Sequence, residues 1–295
     1  MSGYVSFDVL REYMSSESIA RAEEKVSNLR GLFVYVFPYL TQSGEGNISL
    51  YARGEDYHRV IGRKLEQEAL ALSERYPGGS FVPFVDASPF AEVTAAALAG
   101  LGVVGKNNLL ITEKYGSYVF VGTIATDLAL ESRAHTVRAC IGCNACISAC
   151  PGGALTDGGF DASRCLSDIT QRKGELKNAE KALIRSCGTA WGCDICQSVC
   201  PMNNSAAFTD IAEFGSDLVC ALTPADIPPT QAEFKRAYGE RAFSWRGRAP
   251  LARNLELLYS EQYVGLSMMC YTFEKEKRTC LGDFQLSGLI GKLLY

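Results

Sequence analysis

The stretch "CIGCNACISACP", residues 140–151, places four cysteines at C-x2-C-x2-C-x3-C spacing, directly before a proline. A second stretch, "CDICQSVCP" (residues 193–201), repeats this pattern without its first cysteine. The spacing is that of bacterial ferredoxins, in which three cysteines of a run bind one four-iron cluster and the fourth binds the neighbouring cluster. We therefore predict two 4Fe–4S clusters, held by two interlocked segments of the chain.

Exchange of the fourth cysteine between the two motifs predicts the ligands of each cluster. The first cluster would bind four cysteines: Cys140, Cys143, Cys146 and Cys200. The second would bind three that the motifs supply: Cys150, Cys193 and Cys196. One ligand is then missing, and the residues alone leave two candidates for it, Cys165 and Cys187.

Structural zinc and a disulfide scaffold are the other interpretations of so many cysteines. Nine of the twelve cysteines lie between residues 140 and 200, and such clustering favours metal ligation over scattered disulfides. Zinc sites usually take two C-x2-C pairs, which three closely spaced cysteines followed by Cys-Pro do not resemble. Iron–sulfur ligation is the interpretation that we follow.

Composition indicates a folded protein with a sizeable core, because 47% of the 295 residues are hydrophobic and 21% are charged. A formal net charge of −4 gives no overall attraction to nucleic acid, although a local basic patch could bind it. The longest apolar stretches are too short to span a bilayer, and the first residues lack a basic segment followed by an apolar run. The sequence therefore predicts a cytoplasmic protein with no membrane partner.

The order of strand and helix patterns predicts an α+β protein in three parts. Residues 1–134 read as an α/β core, with strands at 32–37, 80–86, 108–112 and 118–126 and helices at 55–76 and 88–102. Ser88 is the predicted N-cap of the second helix, with Pro89 at its first position. Residues 135–210 form the inserted ferredoxin-like domain, and residues 211–295 a helical C-terminal region.

Several blocks outside the cysteine motifs resemble the epoxyqueuosine reductase family, in the order found there. The blocks are "YARGEDYHRVIGRKL" (51–65), "VDASP" (85–89), "AGLGVVGKNNLLI" (99–111), "YGSYVFVGTIATDLAL" (115–130), "RCLSDITQRKG" (164–174) and "GRAPLARN" (247–254). The resemblance implies an oxidoreductase with two 4Fe–4S clusters and cobalamin. It also implies the reaction, removal of the epoxide oxygen of epoxyqueuosine in the anticodon loop of tRNA to give queuosine.

The resemblance also implies roles for individual residues. Asp86, in "VDASP", matches the proton donor of the family, and Cys165, in "RCLS", matches the ligand that completes the second cluster. Asp86 follows an apolar strand and precedes a predicted helix, whose N-terminus would favour the ionised carboxylate, whereas burial under a corrin ring would favour the acid. Nine residues are assigned to the cobalamin pocket: Arg53, Asp86, Gly105, Lys106, Asn107, Ser117, Ser167, Gln171 and Asp194.

The cobalamin is expected in its base-off form, because the Asp-x-His-x-x-Gly motif of cobalamin mutases is absent from the sequence. His58 lies at a helix start and is read as structural. A low-potential flavodoxin or ferredoxin is the expected electron donor. Phosphate contact and base stacking are one reading of a basic segment, and a solvated helix face is the other. Its residues are Lys235, Arg236, Arg241, Arg246, Arg248 and Arg253, interleaved with Tyr238, Phe243 and Trp245.

Family members typically continue beyond the "GRAPLARN" block into a helical repeat domain, whereas only residues 255–295 follow here. Asp168 also stands where an aromatic residue is common. Two alternative functions therefore stay open at the level of sequence. One is a cobalamin-dependent reductase of a small molecule, and the other is an iron–sulfur electron carrier without cobalamin.

Overall fold

The structure is a computed structural model that describes residues 1–132 and 136–260. Within these ranges the chain forms eight β-strands: β1 (Ser2–Ser6), β2 (Gly31–Pro38), β3 (Phe81–Val85), β4 (Val103–Val104), β5 (Leu110–Ile111), β6 (Val119–Thr126), β7 (Leu155–Thr156) and β8 (Gly159–Phe160). The same ranges contain eleven α-helices: α1 (Phe7–Leu10), α2 (Ser16–Lys25), α3 (Tyr57–Arg75), α4 (Glu92–Leu98), α5 (Ala145–Ala149), α6 (Leu166–Gln171), α7 (Asn178–Cys187), α8 (Ile195–Ser198), α9 (Ala212–Gly215), α10 (Gln231–Tyr238) and α11 (Arg248–Tyr259). The predicted helical region beyond residue 260 lies outside the described residues.

A four-stranded sheet with the strand order β1-β2-β6-β3 forms the centre of the first part of the chain. Each of its pairings is antiparallel, so the predicted α/β character is wrong in strand direction. β2 and β3 run in the same direction on either side of α3, as sequence alternation suggests, but β6 lies between them. Alternation along the chain cannot show that a later strand enters such a gap, which makes a split β-α-β unit.

Helices cover both faces of this sheet, which explains the unbroken apolar run of β2. Leu32, Val34 and Val36 join one buried cluster together with residues of α1, α2 and α4. Phe33 and Phe37 point to the other face and pack with α3. Side chains of a strand alternate between faces, so a strand that is buried on both sides is apolar at every position.

The long helix α3 lies unusually close to β6. A Cβ atom on Gly122 would stand 2.8 Å from Leu65 Cδ1 and 3.1 Å from Ile61 Cγ2, which shows that glycine is needed at this crossing. The Tyr57 ring stacks on the Phe120 ring of β6 at 4.3 Å between centroids. These contacts bring the first turn of α3 beside the end of β3, where Asp86 follows.

The predicted start of the second helix is wrong. α4 begins at Glu92 with Ala91 at its N-cap, and Ser88 instead accepts a hydrogen bond from the backbone N–H of Phe90 at 3.2 Å. A turn at residues 86–91 therefore separates β3 from α4. β1 had no clear signal in the sequence, and it forms by pairing with β2 at the sheet edge.

The cysteine region folds into short helices that pack against the C-terminal helices. α5 and α8 each lie inside one cysteine motif and contact each other. The Asn254 side chain of α11 donates hydrogen bonds to the carbonyl oxygens of Thr170 and Ala190, at 2.7 and 2.8 Å. This fully buried amide links the "GRAPLARN" block to the cysteine region. The block therefore has a structural role.

Candidate functional site

Four predicted ligands of the first cluster line one small cavity. They are the expected set: Cys140, Cys143, Cys146 and Cys200. Gly142 and Asn144 have left-handed backbones, at φ 71° and 63°, which turn the first motif so that its sulfurs converge. The Cys140 N–H donates to the Val104 carbonyl at 3.0 Å, which fixes the motif to β4. Two motifs 50 residues apart thus meet as ferredoxin spacing predicts.

The thiols of the second group are half-buried. Burial raises the pKa of Cys193 to about 12, and it raises the pKa of Cys196 to about 12 as well. Neighbouring thiols add to the shift of Cys196, among them Cys193, Cys165 and Cys150. Gly152 explains how Cys150 and Cys165 meet, because a Cβ atom there would lie 2.0 Å from the carbonyl oxygen of Arg164.

Both candidates for the missing ligand lie near this group, but they differ in which of its thiols they affect. The Cys165 thiol raises the pKa of both Cys193 and Cys196, whereas Cys187 acts on that of Cys193. Cys165 also precedes α6 directly, on the cavity that this helix borders. Cys187 ends α7 and packs against the apolar cluster around Leu166. The geometry favours Cys165.

These thiols fit iron–sulfur ligation. Metal binding replaces the proton of each ligating thiol, and grouped thiols at ferredoxin spacing are suited to a metal that takes thiolates. Among the described residues, no group of three or more cysteine, histidine or carboxylate side chains is tight enough to hold a single metal ion.

Asp86 lies at the end of β3 in a small polar cluster that includes the first turn of α3. Its Oδ2 atom accepts a hydrogen bond from the Tyr57 hydroxyl at 2.8 Å and contacts His58 Nε2 at 3.0 Å. The other imidazole nitrogen, Nδ1, lies 2.8 Å from Asp56 Oδ1. Asp86 itself has a left-handed backbone, at φ 59°, a conformation that is uncommon outside glycine and is often found at functional sites.

The charges in this cluster follow from its hydrogen bonds. Bonding to Asp56, and then to Asp86, raises the pKa of His58 to about 9. The hydrogen bond from His58 is the main cause that lowers the pKa of Asp86. At neutral pH the pair is therefore an imidazolium beside a carboxylate. The expected influence of a helix N-terminus is wrong, because α4 starts six residues later and His58 holds the charge.

His58 and Glu92 are members of this site that sequence reasoning missed. His58 was read as structural, although its spacing of two residues from the N-cap Asp56 was a usable signal. Burial raises the pKa of Glu92 to about 8, and the charge of Asp86 adds to the shift. Its Oε1 atom is buried without a hydrogen-bond partner. Glu92 is therefore a neutral acid near Asp86 at pH 7.

Three residues predicted for the cobalamin pocket have hydrogen-bond partners within the protein. Arg53, 5% exposed, donates to the Ile48 and Gly44 carbonyl oxygens at 2.7 Å each. Ser117, 2% exposed, is hydrogen-bonded to Asn203 and Gln197. Asp194 accepts from the Ser49 hydroxyl at 2.5 Å and the Leu50 N–H at 2.9 Å, and burial raises its pKa. Contact of these three side chains with cobalamin remains a prediction.

Contact of Gly105, Lys106 and Asn107 with cobalamin also remains a prediction. All three line the cavity of the first cysteine group. The turn that carries them follows β4. The first cysteine of the first motif is hydrogen-bonded to the same strand. The bridge between residues 104 and 139 brings this turn beside the first cysteine motif.

Ser167 and Gln171 line a second cavity, of about 250 Å³, together with Cys165 and Trp245. The Trp245 indole N–H donates to Gln171 Oε1 at 2.9 Å. Gln171 Nε2 lies 3.4 Å from the Tyr51 hydroxyl, and the Tyr51 ring meets the Tyr57 ring at 6.2 Å. A line of polar and aromatic side chains thus connects Asp86 with the wall of the second cysteine group.

The basic segment divides between internal and exposed roles. Arg253 donates to the carbonyl oxygens of Arg172 and Gly174, at 2.8 and 2.7 Å, and Phe243 is fully buried. Trp245 is 54% exposed, and the Arg246 guanidinium stands 3.7 Å from its ring centroid. Part of the segment is therefore structural, and the Trp245–Arg246 pair is left on the surface.

Comparisons with known proteins agree with this geometry. Residues 22–87 match the family described as "Epoxyqueuosine reductase QueG, DUF1730", and residues 139–203 match the "4Fe-4S double cluster binding domain". The epoxyqueuosine reductase of Lactococcus garvieae is 36% identical over 221 residues, which cover 74% of this chain and 62% of that protein. The chain is therefore similar to epoxyqueuosine reductases over most of its length.

Solved structures of the family share the fold. A Bacillus subtilis epoxyqueuosine reductase, described with its aspartate catalytic loop swung out of the active site, matches with a TM-score of 0.74 at 25% identity. An epoxyqueuosine reductase with an epoxyqueuosine-modified tRNA-Tyr stem loop gives the same two values. Each match covers 88% of this chain and 76% of the other.

The chain thus spans about three fifths of the curated relative's length, 62% in the L. garvieae enzyme. Within the described ranges, no helix has the length and apolarity needed to cross a membrane.

Proposed function

We propose that this chain is an epoxyqueuosine reductase, which converts epoxyqueuosine to queuosine in the anticodon loop of tRNA with two 4Fe–4S clusters and base-off cobalamin. One observation carries the proposal. In a chain similar to this family, two groups of cysteines suited to clusters stand on the same molecule as an exposed aspartate held by a charged histidine. Two related structures, one described with an aspartate catalytic loop and one with a modified tRNA stem loop, support it.

Removal of an epoxide oxygen as water, with a carbon–carbon double bond left behind, consumes two electrons and two protons. When bound, the clusters supply one-electron carriers and cobalamin supplies the reducing metal centre. The protein supplies the protons. The His58–Asp86 pair holds one proton at neutral pH, on the imidazole, and Asp86 Oδ2 would pass it to the departing oxygen. The buried acid Glu92 holds a second proton near Asp86.

The polar and aromatic line from Asp86 to Trp245 is the proposed cobalamin face. Tyr57, Tyr51 and Gln171 offer hydroxyl groups and an amide, which suit the amide side chains of the macrocycle. We assign Ser167 and Gln171 to this face and retain Asp86 as its acid. The proposed division of the chain is 1–134 for the catalytic part, 135–210 for the cluster domain and 211–295 for the C-terminal region.

Two further partners are proposed. The stacked Trp245–Arg246 pair and the exposed Lys235 and Arg236 suit base stacking and phosphate contact with tRNA. A low-potential flavodoxin or ferredoxin would deliver electrons to the first cluster, where Cys143 is exposed and Ile141 is 66% exposed. Thiolate ligation of this kind suits the reducing cytoplasm.

The test is anaerobic reconstitution with iron, sulfide and cobalamin, followed by metal analysis and turnover of epoxyqueuosine-containing tRNA. We expect about eight irons and about one cobalt per chain, together with formation of queuosine. Reduction of the free nucleoside but not of tRNA would show that the substrate is a small molecule, and the proposed reaction would stand. Full iron loading without corrinoid binding would leave an electron carrier and refute the proposal.

A further inference from the structure

Asn107 has a buried amide that is not satisfied by the protein. Its side chain is 6% exposed, and its Nδ2 atom is buried without a hydrogen-bond partner. Buried amide donors in folded proteins nearly always have an acceptor, so an unpaired one indicates a missing partner. Asn107 lines the cavity that Cys140, Cys143, Cys146 and Cys200 also line.

The orientation of this amide is fixed by the turn that carries it. The backbone N–H of Leu109 donates to Asn107 Oδ1 at 3.4 Å, which identifies the oxygen and leaves Nδ2 as the free end. The turn is closed by a hydrogen bond from the Gly105 N–H to the Leu109 carbonyl at 2.9 Å and by the left-handed backbone of Asn108, at φ 61°.

Gly105 shows that the space around the amide is reserved for it. A Cβ atom on Gly105 would lie 2.2 Å from Asn107 Oδ1 and 2.9 Å from Ile111 Cδ1. Any other residue at position 105 would displace the Asn107 side chain from the cavity wall. The turn is therefore built to hold a donor against this cavity.

We propose that Asn107 Nδ2 donates a hydrogen bond to a sulfur atom of the first 4Fe–4S cluster and thereby raises its reduction potential. Reduction adds negative charge to the cluster, and a donor to its sulfur stabilises that charge. The two clusters would then differ in potential by design. Among the described residues, the other buried side-chain atoms without partners belong to Glu92 and Thr123, neither of which lies at the second cysteine group.

This inference rests on the proposed function only in that the cavity holds a cluster. The experiment uses the full chain, reconstituted anaerobically, with each midpoint potential measured by EPR during a redox titration. Asn107→Leu removes the donor in a similar volume. The matched pair Asn107→Asp and Asn108→Asp adds the same charge to the same turn, but only the first loses the buried donor, because Asn108 is exposed.

We expect Asn107→Leu and Asn107→Asp to keep their iron and to lower the first midpoint potential. At a fixed potential the ratio of reduced to oxidised first cluster should fall about tenfold, which is 59 mV for a one-electron couple. Asn108→Asp should leave both midpoints within a twofold change in that ratio. The second cluster is the internal reference, and Cys143→Ala identifies the signal of the first.

An unshifted first midpoint in both Asn107 variants, with iron content intact, would overturn this inference and leave the proposed function standing. Absence of clusters from the native chain would overturn both. If the variants do not fold, native protein labelled with ¹⁵N at asparagine side chains decides the question. Pulsed EPR of the reduced first cluster should then show coupling to a side-chain ¹⁵N, and absence of such coupling would refute the hydrogen bond.

Discussion

The cysteine region and the sheet assemble their chemistry in different ways. Three of the four sulfurs around the first cavity come from one run of seven residues, 140–146, so the spacing in sequence predicts their meeting in space. At the sheet, Asp86 and His58 are 28 residues apart and meet only because α3 packs on β6 beside the end of β3. The grouping of the cysteines can therefore be predicted from the sequence, whereas the contact between Asp86 and His58 depends on tertiary packing.

The largest expected effect tests the cysteine side of this comparison. Cys165→Ala should remove the second cluster, with iron falling from about eight to about four per chain and turnover lost. Cys187→Ala, a change at the other candidate ligand, should keep the full iron content. Iron analysis and the EPR signal of each variant give the answer. Loss of iron in Cys187→Ala but not in Cys165→Ala would reverse the assignment.

Asp86→Asn tests the sheet side. Asparagine tolerates the left-handed backbone and keeps the shape of the side chain, but it cannot pass a proton from His58. Turnover should fall by ~10²–10⁴-fold, the usual contribution of a general acid, while iron and cobalamin loading stay unchanged. Asp217→Asn is the matched control, because Asp217 is an exposed aspartate with φ 50°. Turnover at the native rate in Asp86→Asn would disprove the acid role.

The pH dependence of turnover sharpens the comparison further. His58 has a pKa raised to about 9, so turnover that needs its proton should fall as pH rises through that value. Asp56→Asn keeps the N-cap of α3 but weakens the hydrogen bond that contributes most to this shift. The alkaline limb of the pH–rate profile should then move down towards the ordinary histidine value of about 6.5. A limb that stays in place would show that another group titrates there.

The smallest of these expected effects is on stability, and Glu92→Gln tests it. The pKa of Glu92 is raised to about 8 in the fold, so the folded protein holds its proton longer than the unfolded chain does. The free energy of unfolding should therefore decrease between pH 4.5 and pH 8 in the native protein.

Glutamine mimics the neutral acid, so the variant should lose less thermal stability than the native protein when the pH rises from 6 to 8. The same substitution at Glu17, an exposed residue in the first turn of α2, is the control. Equal loss in Glu92→Gln and native protein would mean that Glu92 is ionised in the fold.

The turn at residues 105–109 shows what a sequence block leaves open. It belongs to a block that resembles the family, and the structure adds that its residues 105–107 line the first cysteine cavity. This neighbourhood has a physical cause. β4 pairs with residue 139 at the start of the cysteine region, and this pairing joins segments that are distant along the chain.

By itself the sequence determined the clusters, because ferredoxin spacing sets sulfur positions within a few residues, and it determined the main strands and α3 through apolar periodicity. It also singled out Asp86 through the resemblance. Tertiary structure alone decided the antiparallel sheet, the Asp56–His58–Asp86 contacts and the cavity that Asn107 faces. These depend on contacts between distant segments, and hydrogen bonds and charges change a pKa only over the short distances that folding creates.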